Sequence, residues 1–318
     1  MMSQLITGIH HITALASDAQ ENVEFYGGVL GLRLVKKTIN FDVPSVYHLY
    51  YGNESGDPGT IMTFFPYPKI PRGRKGNGQS VTTSFSISED AIDYWINRLN
   101  KFNISFYGPN KRFDELFLSF QDHDGLSLEL VANKKDARKG FSCGTVPPCH
   151  SIKGIFGVTL SEECFEKTAN LLEGEMNHTL ITEKGNHFRY SASGKPGDFV
   201  DIICNPETLP GIEGHGTVHH IAFATESDKA QETVRKELLN SNYNVTPVLD
   251  RQYFRSIYFR EPGGVLFEVA TKPPGFTLDE PLNNLGESLK LPPWQERNRS
   301  QIEDGLIPIQ LDVDKYAD

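Results

Sequence analysis

Cysteine, tryptophan and methionine are scarce in this chain of 318 residues, at four, two and four copies. Cys143, Cys149, Cys164 and Cys204 show no C-x-x-C spacing and are too few to staple so long a chain, which excludes a disulfide framework. Cys143, Cys149 and His150 fall together in a Pro-containing stretch, but a tetrahedral zinc site needs a fourth ligand at a regular spacing that this stretch lacks. No apolar run approaches the ~20 residues that span a bilayer, and no basic, apolar leader opens the sequence, so the expected compartment is the cytoplasm. Positive charge is short as well: 31 Lys and Arg against 41 Asp and Glu leave a formal net charge of -10. That balance repels phosphate backbones and acidic lipids, so neither nucleic acid nor membrane is an expected partner.

What the chain has in quantity is turn residues, 28 Gly and 19 Pro, set among short apolar runs, and it has a fourfold internal repeat. Four segments open alike: IHHITALA (9–16), SVTTSFSI (80–87), KGIFGVTL (153–160) and VHHIAFAT (218–225). Four others close alike, each a turn glycine leading into a strand: GTIMTFF (59–65), GLSLELV (125–131), GDFVDIIC (197–204) and GGVLFEV (263–269). Between them lie helical stripes. Asp18 with Glu21 forms a capping box before Ala19, Val23, Tyr26 and Leu30, a helix ending near Gly31. Residues 88–100 carry Ile92, Trp95, Ile96 and Leu99 on one face, and residues 228–240 carry Val234 and Leu238. The unit therefore reads β-α-β-β-β, in an α+β fold of four units with helices covering curved sheets. Segments 68–79 and 205–216 separate units within each half. The tail from Thr271 holds Phe276, Leu278, Leu289, Leu291 and Trp294, too apolar for a solvated extension, and reads as an arm packed on the body or on a second subunit of a homo-oligomer.

The histidines of the repeat carry its chemistry. At the first-strand position the units place His11, a residue near Thr83, Gly157 and His220; at the closing-strand acid position they are read as Phe64, Glu129, Asp201 and Glu268. Pairing the first unit with the fourth gathers His11, His220 and Glu268 around one ion and leaves the other pair metal-free. Neighbouring strand residues point to opposite faces, so one histidine of each tandem pair faces inward and its neighbour, His10 or His219, does not. Two histidines and one carboxylate leave about three octahedral positions open, which suits Fe(II), with Mn(II) as a substitute. Phe64 in the fourth place leaves the site open and supplies an aromatic wall. Glu129 and Asp201, without histidines, are expected to be solvated or hydrogen-bonded rather than ligating.

At these residues the chain resembles the vicinal-oxygen-chelate superfamily, which takes in glyoxalases, bleomycin-resistance proteins and extradiol dioxygenases. With KKTINFD, YHLYYG, RQYFRSIYFREPGGVLFE and GFTLDEP, the resemblance narrows to ring-cleaving dioxygenases of the hydroquinone 1,2-dioxygenase type and covers nearly the whole chain. It implies two tandem domains of curved, barrel-like mixed sheets, 7–132 and 152–271, joined by a linker at 133–151 and followed by an arm at 272–318. It also implies Fe(II) on His11, His220 and Glu268, O2 as co-substrate and a small aromatic diphenol as substrate. His10, His219, Tyr258 and Arg251 would surround the chemistry, the first three as acids and Arg251 as a stabiliser of negative charge, with Thr13 beside the substrate. Two other readings stay open on this scaffold: a glyoxalase-like isomerase or thiol transferase that uses a divalent metal without O2, and a metal-free drug-binding resistance protein.

Overall fold

A computed structural model describes residues 5–317. The first unit runs β1 (Ile9–Ala16), a helix, β2 (Arg33–Ile39), β3 (Tyr47–Gly52) and β4 (Ile61–Pro66). The second supplies β5 (Gln79–Ile87), β6 (Phe106–Arg112), β7 (Glu115–Gln121) and β8 (Ser127–Ala132). The third supplies β9 (Gly154–Glu162), β10 (Thr179–Lys184), β11 (His187–Ser191) and β12 (Phe199–Cys204). The fourth supplies β13 (Thr217–Thr225), β14 (Leu249–Asp250), β15 (Arg255–Arg260) and β16 (Leu266–Thr271).

The helices follow their apolar stripes with one exception. Asp18 caps α1 (Ala19–Val23) by accepting from the Glu21 amide at 2.9 Å, but the chain then widens into a π-helical segment, Glu24–Val29, instead of running on as one α-helix. Gly27 and Gly28 explain the departure: both are poor in a helix interior, and both are pressed on from outside, so that a Cβ on Gly28 would lie 2.7 Å from the Tyr316 ring. In α2 (Ile92–Lys101), Trp95 and Leu99 are buried as their spacing requires. After α3 (Glu166–Glu173), α4 (Asp228–Asn240) is capped by Ser227 and fully buries Val234 and Leu238, each worth ~1.5–3 kcal/mol relative to exposure.

Two mixed, curled sheets of eight strands result, ordered β14-β15-β16-β13-β1-β4-β3-β2 and β10-β11-β12-β9-β5-β8-β7-β6. Each takes one unit from either half of the chain. The first and fourth units meet through the antiparallel pair β1–β13, the second and third through β5–β9, and within each unit the first strand lies parallel to the last. The separating segments also meet, through bridges between Arg74 and Ile212 and between Asn77 and Pro210. One face of each sheet packs under the helices; the other lines a concave interior.

The arm packs on β2 and β3, on the face that carries Tyr50. Lys36, fully buried on β2, is clamped by Asp279 at 2.6 Å and by Glu280. Phe276 packs on Tyr50 and Tyr253 with ring centroids 5.1 and 5.2 Å apart. The expected apolar docking is partial: Phe276 and Leu291 are buried, whereas Leu278 and Trp294 remain 52% and 45% exposed. Within the described residues, no helix is long and apolar enough to cross a membrane.

Candidate metal centre and its cavity

The concave face of the first sheet brings three side chains together. His11 stands on β1, His220 on the adjacent β13 and Glu268 on β16, the other neighbour of β13. His220 Nε2 lies 2.9 Å and His11 Nε2 3.5 Å from Glu268 Oε2, and the two Nε2 atoms are 3.4 Å apart. These are the one group of His, Cys, Asp or Glu among the described residues whose ligand atoms converge this way, all within 4.8 Å. Glu268 Oε1 accepts a hydrogen bond from Ser256 Oγ, but Oε2, fully buried, has no satisfactory hydrogen bond. Burial pulls the His220 imidazole down to about 4, against the pull of Glu268. Burial also pushes the Glu268 carboxyl up, yet its two histidines, His11 first, outweigh this and hold it well below the usual carboxylate range. A buried anion with an unpaired oxygen facing imidazole nitrogens is costly alone and fits a cation.

The tandem pairs do not divide by simple strand alternation: the β1–β13 register slips at His10 and at His219, and each of these rings packs on that of its inner neighbour. His10 Nδ1 lies 2.9 Å from His11 Nδ1, and His219 Nδ1 lies 2.7 Å from His220 Nδ1. Each outer ring can therefore accept the Nδ1 proton of its inner neighbour, leaving the inner Nε2 lone pair turned toward Glu268. The outer pair differ in setting. His219 lines the main cavity, whereas His10 lies behind Phe254 on a separate hollow of about 180 Å³.

The main cavity, about 480 Å³, opens over the triad and is lined among others by His48, Tyr50, Phe65, Arg251, Phe254 and Tyr258. Tyr258 sits opposite Glu268 in the β15–β16 register, and Arg251 Nε donates to its hydroxyl at 3.2 Å. Burial first, then the Glu268 charge, pushes the Tyr258 phenol up, so it keeps its proton. Phe254 packs on His11 with ring centroids 5.0 Å apart, and Phe65 packs on His48 at 4.3 Å. No described residue of the arm lines the cavity; Phe276 packs edge to face on Tyr50.

Phe64 does not hold the fourth place at the site. It faces the helix side of the sheet and packs on Tyr26 at 4.3 Å, away from the cavity. The register shows why. Glu268 pairs with Ala222, two residues beyond His220; the residue paired with Thr13, two beyond His11, is Thr63. Thr63 thus holds the acid position in the first unit, and Phe65 is the aromatic wall. Gly59 marks it, standing four residues before Thr63 as Gly264 stands before Glu268. Thr13 is buried beside the triad, bonded to Thr63 at 2.8 Å, but does not line the cavity.

The second sheet repeats the design with the site closed. Its acid positions, Glu129 and Asp201, are occupied by guanidinium groups: Arg112 contacts Glu129 at 2.6 and 2.9 Å, and Arg189 contacts Asp201 at 2.7 and 2.8 Å. Arg189 pairs with Asp201 just as Tyr258 pairs with Glu268. Arginine there stands against the acids where the first sheet offers a place for an ion.

Sequence reasoning missed His48, Tyr50, Phe65 and Phe254. His48 and Tyr50 alternate on one face of YHLYYG, so the signal was a period of two on a strand whose inward face had not been fixed.

Comparison with known proteins agrees with this architecture. Residues 8–130 and 153–269 match the Glyoxalase/Bleomycin resistance protein/Dioxygenase superfamily. The chain is 46% identical to the "Putative ring-cleaving dioxygenase MhqO" of Bacillus subtilis (strain 168), over 98% of this chain and 99% of that one. It is 32% identical to the "Chlorohydroquinone/hydroquinone 1,2-dioxygenase" of Sphingobium indicum, over 95% and 96%. The crystal structure of a "putative dioxygenase" from Bacillus subtilis superposes with a TM-score of 0.93 at 46% identity, covering 96% of this chain and 98% of that one.

Proposed function

The chain belongs to the Glyoxalase/Bleomycin resistance protein/Dioxygenase superfamily, and from that premise we propose that it is an Fe(II)-dependent, extradiol-type dioxygenase that cleaves hydroquinone-type rings with O2. The observation that carries the reading is the unpaired, buried Glu268 Oε2 between two imidazole Nε2 atoms. His11, His220 and Glu268 would hold the metal, with Mn(II) as a substitute. Bound there, the ion supplies a Lewis-acidic centre with open positions for a diphenol oxygen and O2.

The rest of the work falls to side chains of this chain. His10 and His219 hold the ligand rings in one tautomer through the Nδ1 contacts. Phe65 and Phe254 give the cavity aromatic walls for a ring and keep water away from it. Tyr258, protonated and held by Arg251, donates to a substrate oxygen, and the guanidinium spreads negative charge that develops there. His219, on the cavity wall, is the second acid within reach; His10 reaches the cavity only through His11.

The glyoxalase-like alternative calls for a fourth protein ligand. Thr63 holds that place and is engaged with Thr13 and His48, which favours the three-ligand dioxygenase. A metal-free binding protein would leave the buried Glu268 charge answered by its two histidines alone. Anaerobic reconstitution with Fe(II), followed by oxygen-electrode assays over a panel of diphenols, tests the reading. Stoichiometric iron with O2 uptake on hydroquinone is expected; full ligand binding by metal-stripped protein without O2 uptake would overturn it.

A further inference from the structure

The first unit contains a counterpart of Tyr258. Tyr50 pairs with Thr63 on β3–β4 as Tyr258 pairs with Glu268 on β15–β16, so the two tyrosines are mates under the internal repeat. Both line the cavity. Two residues earlier on each strand, Ser256 binds Glu268 and His48 binds Thr63, so that correspondence holds as well.

A hydrogen-bonded chain runs from Thr13 Oγ1 to Thr63 Oγ1 at 2.8 Å, to His48 Nε2 at 2.9 Å, and from His48 Nδ1 to the Tyr50 hydroxyl at 2.8 Å. Donor accounting fixes its direction. Burial keeps His48 neutral, so one ring nitrogen carries a proton and the other accepts. If Tyr50 donates to Nδ1, then Nε2 donates to Thr63 and Thr63 to Thr13. The Thr13 proton is then left without an acceptor among the described residues, at a position 0% exposed. In the opposite sense, Thr13 donates to Thr63, Thr63 to Nε2, and Nδ1–H to the Tyr50 oxygen. Every donor of the chain but Tyr50's own is then satisfied, and Tyr50, though buried, lines the cavity. A proton left over at the cavity can be met by a ligand or water that enters it, whereas one left on Thr13 cannot, so the chain runs outward.

We propose that Tyr50 is a substrate-positioning residue whose hydroxyl donates to the diphenol oxygen remote from the metal, with His48, Thr63 and Thr13 holding that proton pointed into the cavity. The inference rests on the diphenol reading above and extends it: recognition is of a ring with two oxygens, one at the triad and one at Tyr50. Loss of a donor specific to the second oxygen weakens a diol and leaves a monophenol alone.

The test is anaerobic calorimetry on Fe(II)-loaded protein with hydroquinone and with phenol, for wild type and Tyr50→Phe, beside nitrogen-15 NMR of the His48 ring in metal-free protein. Tyr50→Phe is expected to weaken hydroquinone about tenfold and phenol less than about twofold. The His48 ring is expected to be the Nδ1–H tautomer in wild type. Equal weakening of both ligands, no weakening of either, or an Nε2–H tautomer in wild type overturns the assignment. Absence of O2 uptake with the tenfold difference intact overturns the dioxygenase reading instead and leaves Tyr50 as a binding residue.

Discussion

Whether a side chain in this protein meets the cavity or the core is decided by one step along a strand. His11, Thr13, Thr63 and Phe65 share the concave side; Phe64 lies under the helix. The triad was legible because histidine and glutamate are rare at apolar strand positions and recur at matched places in the repeat. The fourth place was misread by one residue, since an apolar run such as IMTFF shows no alternation from which its inward face can be fixed. Phe65→Leu is therefore expected to raise KM for a diphenol severalfold with stability nearly unchanged, and Phe64→Leu to lower stability by ~1 kcal/mol with KM unchanged, measured by steady-state kinetics and urea melts. His220→Ala is expected to abolish iron retention and turnover, while Glu129→Gln retains both. Metal analysis reads this directly, and stoichiometric iron in His220→Ala would refute the ligand set.

Among the elements, α4 and the opening strands were plain in the sequence because their periods of 3.6 and 2 are intact, whereas the π-helical turn at Glu24–Val29 was not, because Gly27 and Gly28 do not show in the sequence that Leu311 and Tyr316 press on them. The arm shows the same dependence on distant partners. Its apolar residues announced docking, but its anchor is the charge of Lys36, buried within a strand and answered by Asp279 and Glu280. Breaking such a pair from one side leaves the buried Glu280 carboxylate without its partner. Lys36→Met is expected to cost ~3–5 kcal/mol in urea unfolding, and an unchanged midpoint would show that the arm contributes nothing to the stability of the body. Because Phe276 of the arm supports Tyr50, the same variant is expected to weaken hydroquinone binding as well.

Across the whole molecule, one duplicated design gives an open site in one sheet and a closed one in the other, with arginine in the second where the first offers a place for an ion. The fourfold repeat and the pairing of outer with outer and inner with inner units could be read from the positions of two histidines and three acids; the arginines could not, since β6 and β11 carry no mark of where they point. Between the units lies a second pair of buried acids. Burial, then the charge of Glu261, pushes Glu162 up to about 8. An unfolded Glu162 loses its proton near 4.5, so the folded state holds more protons than the unfolded between about pH 4.5 and 8, and stability falls as pH rises through that window. Glu162→Gln is expected to flatten that fall, measured as urea midpoints at pH 5, 7 and 9. The most direct test of the central claim is turnover of hydroquinone under oxygen-18 gas by Fe(II)-loaded protein, with His220→Ala as control. A ring-opened product carrying the label, formed with one O2 consumed per ring and absent in the variant, is expected. Oxidation to an unlabelled quinone, or labelled product from His220→Ala, would contradict it.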